Sequence, residues 1–207
     1  MTAINKNTTK KTIQAYNETA KHYESLHNDI QEIETMIKDF IRIIPGKKIL
    51  DVGCAHGRDA KYFTENGFQV TGIDLSKNLL ALARKNAPQA KFLQMDMRNL
   101  HFIDNAFDGI WACASFLHLP KKDALKTLQE FRRVLQNQGV LYLGVKKGLG
   151  EQWIERKENQ GQQKFFAFYS KKEIGCLVKQ AGFQIIKIIC ESDKRGNFWI
   201  NVFARKV

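Results

Sequence analysis

Lys48-Ile49-Leu50-Asp51-Val52-Gly53-Cys54-Ala55-His56-Gly57-Arg58-Asp59-Ala60 is the stretch on which the reading of this chain turns. Lys48–Val52 is short and mostly apolar and reads as a buried strand. Gly53 and Gly57 bound a turn, and Arg58 opens a helix. A strand–turn–helix unit of this kind brings backbone N–H groups and a helix N-terminus against a bound ligand. The spacing departs from the dinucleotide fingerprint G-x-G-x-x-G, because Cys54-Ala55-His56 holds no central glycine. An acid, Asp51, stands just ahead of the first glycine instead.

Downstream the alternation continues. Residues 58–66 read as a helix closed by Gly67 and residues 68–73 as a second strand. Ser76 caps a helix with Leu79, Leu80, Leu82 and Ala83 inward, and Pro88 follows it. Residues 91–95 form a third strand and Phe107–Cys113 a fourth. Residues 120–135 form a helix, 137–139 a turn and 140–145 a fifth strand. Short apolar strands alternating with helices predict an α/β fold with a parallel sheet covered on both faces. Residues 146–168 are less regular. Ser170 and Glu173 make a capping box for a helix ended by Gly182. Residues 183–190 and 198–204, joined by a turn-prone segment, predict an antiparallel pair. Upstream, residues 1–11 are polar and read as loose. Residues 12–44 read as helical, with one stripe of Tyr16, Ala20 and Tyr23 and a second of Ile30, Ile33, Ile37, Ile41 and Ile44, stopped by Pro45-Gly46.

The 207 residues are enough for one domain with a sizeable core. No apolar run approaches the ~18 residues of a membrane helix. The opening Met1-Thr2-Ala3-Ile4-Asn5 lacks the apolar core of a signal peptide, so a cytoplasmic location is expected. Cys54, Cys113, Cys176 and Cys190 lack C-x-x-C spacing and read as reduced, mostly buried thiols, with neither a metal site nor a redox pair. Thirty-three Lys and Arg against 21 Asp and Glu leave a net charge of +12. The basic residues fall in scattered doublets such as Lys121-Lys122 and Arg132-Arg133, and no long basic run appears. Two readings of the charge stay open, a solvated basic surface and a nucleic-acid footprint.

The stretch around Asp51, Gly53 and Gly57 resembles motif I of the class I S-adenosylmethionine (SAM) dependent methyltransferases. Asp74 ends the second strand, Asp96 follows the third, and Trp111-Ala112-Cys113-Ala114 ends the fourth, where it resembles motif IV. The resemblance covers residues 47–145 and is greatest to bacterial small-molecule methyltransferases. It implies a Rossmann-like, seven-stranded, mostly parallel sheet with a C-terminal antiparallel hairpin and helices on both faces. It also implies a single domain over residues 1–207: an N-terminal helical lid at 1–44, a SAM-binding core at 45–145, and a substrate-side insert with the C-terminal strands at 146–207.

The same resemblance implies SAM as cofactor and S-adenosylhomocysteine (SAH) as product. The turn of Gly53, Cys54, Ala55 and Gly57 would pass beneath the methionine tail and ribose. Asp51 would receive the tail's ammonium, and Arg58 its carboxylate or a core acid. Asp74 would accept the ribose hydroxyls. Asp96 would take the adenine amino group, with Leu75 and Met97 flanking the ring. Ala112 and Cys113 would lie beside the transferring methyl. Tyr16 and Tyr23 would close over the cofactor, unless they form a helix-packing stripe. The family usually has a glycine where this chain has Ala55.

Methyl transfer from a sulfonium is an in-line displacement, so the protein mainly aligns the reactants, and a base is needed only when the acceptor must lose a proton. His118, just past the fourth strand, is the candidate base; the alternative is a helix-cap histidine. Neither an N-P-P-Y nor a P-C motif is present, which favours a small-molecule acceptor over a macromolecule and argues against a covalent mechanism. Lys146, Lys147 and Trp153 follow the fifth strand and point to an anionic acceptor, or to a solvated basic loop. The expectation is thus a methyltransferase for a small, anionic metabolite, monomeric or homodimeric and without membrane association. The alternatives are an RNA methyltransferase, from the charge, and a non-catalytic SAM-binding protein, from Ala55.

Overall fold

Four of the five residues of Lys48–Val52 are buried, and the strand they form takes parallel neighbours on both sides. The computed structural model describes residues 3–155 and 160–207, with side chains from Thr8 onward. In chain order the elements are α1 (Ala3–Glu18), α2 (Ala20–Leu26), α3 (Glu34–Ile43), β1 (Lys48–Val52), α4 (Arg58–Glu65), β2 (Gln69–Asp74), α5 (Lys77–Asn86), β3 (Lys91–Gln94) and β4 (Phe107–Cys113). They continue with α6 (Lys121–Val134), β5 (Leu135–Lys146), β6 (Glu151–Glu155), β7 (Gln163–Ala167), α7 (Lys171–Gln180), β8 (Phe183–Ser192) and β9 (Phe198–Lys206).

The sheet order is β3-β2-β1-β4-β5-β9-β8, parallel through β5 and antiparallel at β9 and β8. This is the seven-stranded, mostly parallel sheet expected. Alternation along β1 sends Leu50 and Val52 to a core shared with α6 and α7, and Ile49 to a core shared with α3, α4 and α5. Each large apolar side chain buried in these cores contributes about 1.5–3 kcal/mol. Close docking of α3 requires Gly109 on β4, since a Cβ there would come within 2.6 Å of the Phe40 ring. Ser76 caps α5 through the Leu79 N–H, and Ser170 and Glu173 form the expected capping box of α7.

Five expectations need correction. Helix α1 starts at Ala3, so the segment expected to be loose is helical from there; Met1 and Thr2 lie outside the described residues. The long helical tract is three helices, with a break at Thr19 and a longer one between Leu26 and Glu34. The irregular region pairs β6 with β7 as a separate two-stranded antiparallel sheet; residues 156–159 between them lie outside the described residues. Cys176 and Cys190 are exposed, because α7 and the edge strand β8 turn them outward. The turn expected at 137–139 is a bulge within β5: the ladder jumps from Phe107–Leu135 to Gly109–Val140, with Gln138 at φ +65°. Among the described residues, no helix is long and apolar enough to cross a membrane.

Candidate active site

Chain order leaves β1 for β2 and β3 on one side and β4 and β5 on the other, so a crevice opens at the carboxyl ends of β1 and β4. Gly53 (φ +70°) begins the turn after β1. A Cβ at Gly53 would stand 2.3 Å from the Ser115 Cβ, so only glycine lets the turns after β1 and β4 approach this closely. The N–H groups of Gly53 and Cys54 donate to the Ile73 carbonyl at 2.7 and 3.0 Å. Ala55 is also left-handed (φ +48°), and its N–H donates to Asp74 Oδ2 at 3.0 Å. Asp74 Oδ1 accepts from the Ser76 N–H at 2.8 Å. Asp74 thereby ties the ends of β1 and β2 together. Burial raises its pKa, and the backbone donors of Ser76, Ala55 and Leu75 oppose that rise.

Two adjoining cavities occupy the crevice and share walls of Tyr16, Tyr23, Gly53, Ala55, Cys113 and His118. The smaller, about 110 Å³, is lined by Asp74, Leu75, Asp96, Met97 and Ser115. The larger, about 380 Å³, is lined by Asp51, His56, Arg58, Lys146, Lys164 and Trp199. Asp51 is 3% exposed and its Oδ2 meets no hydrogen-bond partner. Burial, reinforced by Asp59 and opposed by Arg58, holds the Asp51 carboxyl well above the usual range. Arg58 Nε donates to Asp59 Oδ1 at 2.7 Å, and its Nη1 reaches the carbonyls of His27 (3.4 Å) and Asp29 (3.3 Å) after α2. Arg58 therefore meets a core acid, one of its two expected partners, and clasps the N-terminal segment as well.

Asp96 accepts from Arg98 Nε at 3.0 and 3.1 Å and from Nη2 at 2.5 Å, while Arg98 Nη1 reaches Asp123 at 3.3 Å. A bidentate guanidinium fixes the orientation of the carboxylate and ties it to the first turn of α6. Arg98 was not read from the sequence as part of the site, although it stands two residues from Asp96.

His118 is held at both ring nitrogens. Nδ1 lies 2.6 Å from the Phe165 carbonyl and Nε2 lies 2.8 Å from Tyr16 Oη. A carbonyl only accepts, so Nδ1 carries the hydrogen and Nε2 accepts from the Tyr16 hydroxyl. Burial, then the neighbouring Lys164 and Lys146, lowers the His118 pKa to about 4 against the Phe165 contribution. Lys164 is 2% exposed, with its Nζ 3.9 Å from the centre of the Tyr16 ring and 5.3 Å from that of Tyr23. Lys146 is 6% exposed, its Nζ 5.3 Å from the Trp199 ring and 3.1 Å from Asn197 Oδ1. Burial raises the Tyr23 and Cys113 pKa values to about 12.

Of the residues expected at the site, the structure gathers Tyr16, Tyr23, Asp51, Gly53, Cys54, Ala55, Arg58, Asp74, Leu75, Asp96, Met97, Cys113 and His118 around the two cavities. Cys54 does so with its thiol packed toward Gly72 in the core. Gly57 (φ +84°) lies behind the turn, where a Cβ would come within 3.0 Å of the Ala83 backbone. Ala112 must be corrected: strand alternation places it in the α6–α7 core, on the face opposite Cys113. Lys147 is exposed, and Trp153, on β6, packs beside Phe165; neither lines these two cavities. Lys164 occupies the place expected of Lys147, and no local pattern marked it.

Comparison with known proteins agrees with this geometry. Residues 50–143 match the family model described as a methyltransferase domain. A malonyl-[acyl-carrier protein] O-methyltransferase from Enterobacter lignolyticus is 31% identical over 131 residues, which cover 61% of this chain and 50% of that protein. Phosphoethanolamine N-methyltransferase 2 of Caenorhabditis elegans is 32% identical over 155 residues, 72% of this chain and 35% of that protein. The chain thus spans half or less of the length of these relatives. In fold it is similar to the Burkholderia thailandensis 1,6-didemethyltoxoflavin-N1-methyltransferase, solved with 1,6-didemethyltoxoflavin and SAH. The TM-score is 0.81 at 18% identity, covering 100% of this chain and 92% of that one. Residues 50–143 thus carry a methyltransferase domain, set in a sheet whose fold is shared with a solved methyltransferase.

Proposed function

We propose that the chain transfers the methyl group of SAM to a small acceptor that bears an anionic group. The observation that carries this reading is the adjacency of the two cavities: the one that holds Asp74 and Asp96 shares walls of Tyr16, Cys113 and His118 with a larger chamber that holds two buried lysines. The residues present fit SAM. Gly53 lets the turns after β1 and β4 close on each other at the cavity wall, and Asp51 offers a buried, unpartnered carboxyl oxygen suited to an ammonium. Asp74 would hold the ribose hydroxyls, and Asp96, Leu75 and Met97 the adenine. Bound there, SAM would supply an electrophilic methyl carbon for in-line displacement by the acceptor's nucleophile, with the sulfur as leaving group.

The chain's own residues align the acceptor and manage its proton. Tyr16 Oη donates to His118 Nε2, which sets the pair in line to relay a proton from the acceptor. A proton leaving the acceptor passes to Tyr16 as the Tyr16 proton passes to His118, whose orientation is set by Phe165. Lys146 and Lys164 supply counter-charge to an anionic acceptor, and the arrival of that anion strengthens His118 as a base. Residues 1–44 act as the lid, since α1 and α2 contribute Tyr16 and Tyr23 to the cavity walls. Two of the relatives are named for groups that carry a carboxylate or a phosphate, malonyl and phosphoethanolamine.

Incubation with SAM and a panel of small carboxylates and phosphates, followed by quantification of SAH, tests this reading. SAH released with anionic acceptors and not with their neutral amides or esters is the expected result. Binding of SAH without turnover on any acceptor would contradict it.

A further inference from the structure

His56 stands in the same turn as Gly53 and Ala55 and has no part in the chemistry above. It is 3% exposed, it lines the larger cavity, and neither Nδ1 nor Nε2 meets a hydrogen-bond partner. Burying an imidazole with both nitrogens unpartnered leaves its desolvation penalty unrelieved, and native proteins rarely do so without a reason. Asp51 Oδ2 is buried and unpartnered in the same cavity. A ligand end that carries both an ammonium and a carboxylate would offer a partner to each. Arg58, the expected partner of such a carboxylate, is already committed to Asp59 and to the carbonyls of His27 and Asp29.

We propose that His56 binds the α-carboxylate of the cofactor's methionyl end and takes up a proton as it does so. The inference rests on the SAM reading of the cavity. The groups around the ring come from three helices. Helix α2 contributes Tyr23, edge-on at 5.9 Å, and Glu24, with His27 just past its end. Helix α4 contributes Arg58 and Asp59. Helix α5 contributes Asn86, which donates to the His56 carbonyl at 2.9 Å and to Glu24 at 2.6 Å. Burial and Arg58 lower the pKa of the free imidazole against Glu24 and Asp59, so the ring is neutral near pH 7. A carboxylate in contact favours the imidazolium, and affinity then rises as pH falls, by up to about tenfold per pH unit. Asp51 works in the opposite sense: an arriving ammonium favours its ionised form, so any proton it holds is released on binding. Substitution at His56 separates the two contributions.

The test is calorimetric titration of the full chain with SAH and with 5′-methylthioadenosine, which keeps the nucleoside and lacks the amino-acid end. Each titration is run in buffers of different ionisation enthalpy between about pH 7 and pH 8, above the ordinary imidazole value of about 6.5 from which the free ring is lowered. The chain and two variants, His56→Ala and His56→Gln, are compared after thermal melts confirm that both are folded. His56→Ala should weaken SAH about tenfold or more and leave 5′-methylthioadenosine within about twofold. His56→Gln should take up about one proton fewer per SAH than the parent chain. Equal weakening of both ligands, or an unchanged SAH affinity and proton count in the variants, overturns the proposal. A parent chain that binds neither ligand overturns the SAM reading itself, and the assignment of His56 with it.

Discussion

Replacing Ala55 by glycine should stabilise this protein, and replacing Gly53 by alanine two residues away should do the reverse. Ala55 holds φ +48°. A left-handed conformation costs an L-residue about 1–2 kcal/mol, and glycine's greater freedom in the unfolded chain offsets about 0.5–1 kcal/mol of the relief. The expected net gain for Ala55→Gly is about 0.5–1 kcal/mol, or about 1–4 °C in Tm for a chain of this size. The Ala55 N–H to Asp74 survives in the variant, so the cofactor cradle keeps its tie. At Gly53 (φ +70°) an added methyl incurs the same conformational cost. It also meets the Ser115 Cβ at 2.3 Å, so either the turn after β1 or that after β4 must move. Overpacking of this kind adds about 1–3 kcal/mol, for a total of about 2–5 kcal/mol. Differential scanning calorimetry of both variants checks the pair. A lower Tm for Ala55→Gly, or an unchanged Tm for Gly53→Ala, would refute the reasoning about this turn.

Tyr16→Phe and His118→Asn should each lower methyl transfer about 10²- to 10⁴-fold for an acceptor that must lose a proton, while SAH affinity changes little; steady-state kinetics with parallel calorimetry separates the two effects. The His118 ring should stay neutral from pH 7 down to about 4, with the hydrogen on Nδ1, which heteronuclear NMR of the histidine rings reads directly. Its folded pKa is depressed, so its contribution to stability is present above the ordinary value of about 6.5 and is lost as pH falls through about 4. The raised carboxyls Asp51 and Asp74 act in the opposite sense, and so His118→Asn should flatten the acid limb of a urea-denaturation series. Arg98→Ala should cost about 1.5–3 kcal/mol, from the charge-assisted bonds to Asp96 and Asp123, and should weaken adenosine binding as well as SAH binding.

The central unit from β1 to β5 was legible because its strands are short apolar runs and its turns are marked by glycine. The N-terminal segment was not, for a physical reason. The buried face of α1 and the break after it is Thr8, Thr12, Ala15 and Thr19, a helical stripe of small residues rather than large apolar ones. Thr12 even accepts a hydrogen bond from the Phe165 backbone N–H, which a search for apolar periodicity passes over. Lys164 was hidden because a lysine reads as solvated, whereas here aromatic faces surround its ammonium. The role of Ala112 is a different kind of miss. The two-residue period of β4 was visible in Trp111-Ala112-Cys113, and it sends Ala112 and Cys113 to opposite faces. The Tyr16–His118 pair joins residues 102 positions apart, and only the fold of α1 over the sheet brings them together.

The most direct test of the account is calorimetric titration of the chain and of Asp74→Ala with SAH, using NAD as control. Micromolar binding of SAH, at least about 100-fold weaker in Asp74→Ala through loss of two charge-assisted bonds to the ribose and absent with NAD, is the result expected. No binding of SAH, or an affinity indifferent to Asp74, would contradict the assignment of this crevice as a SAM site.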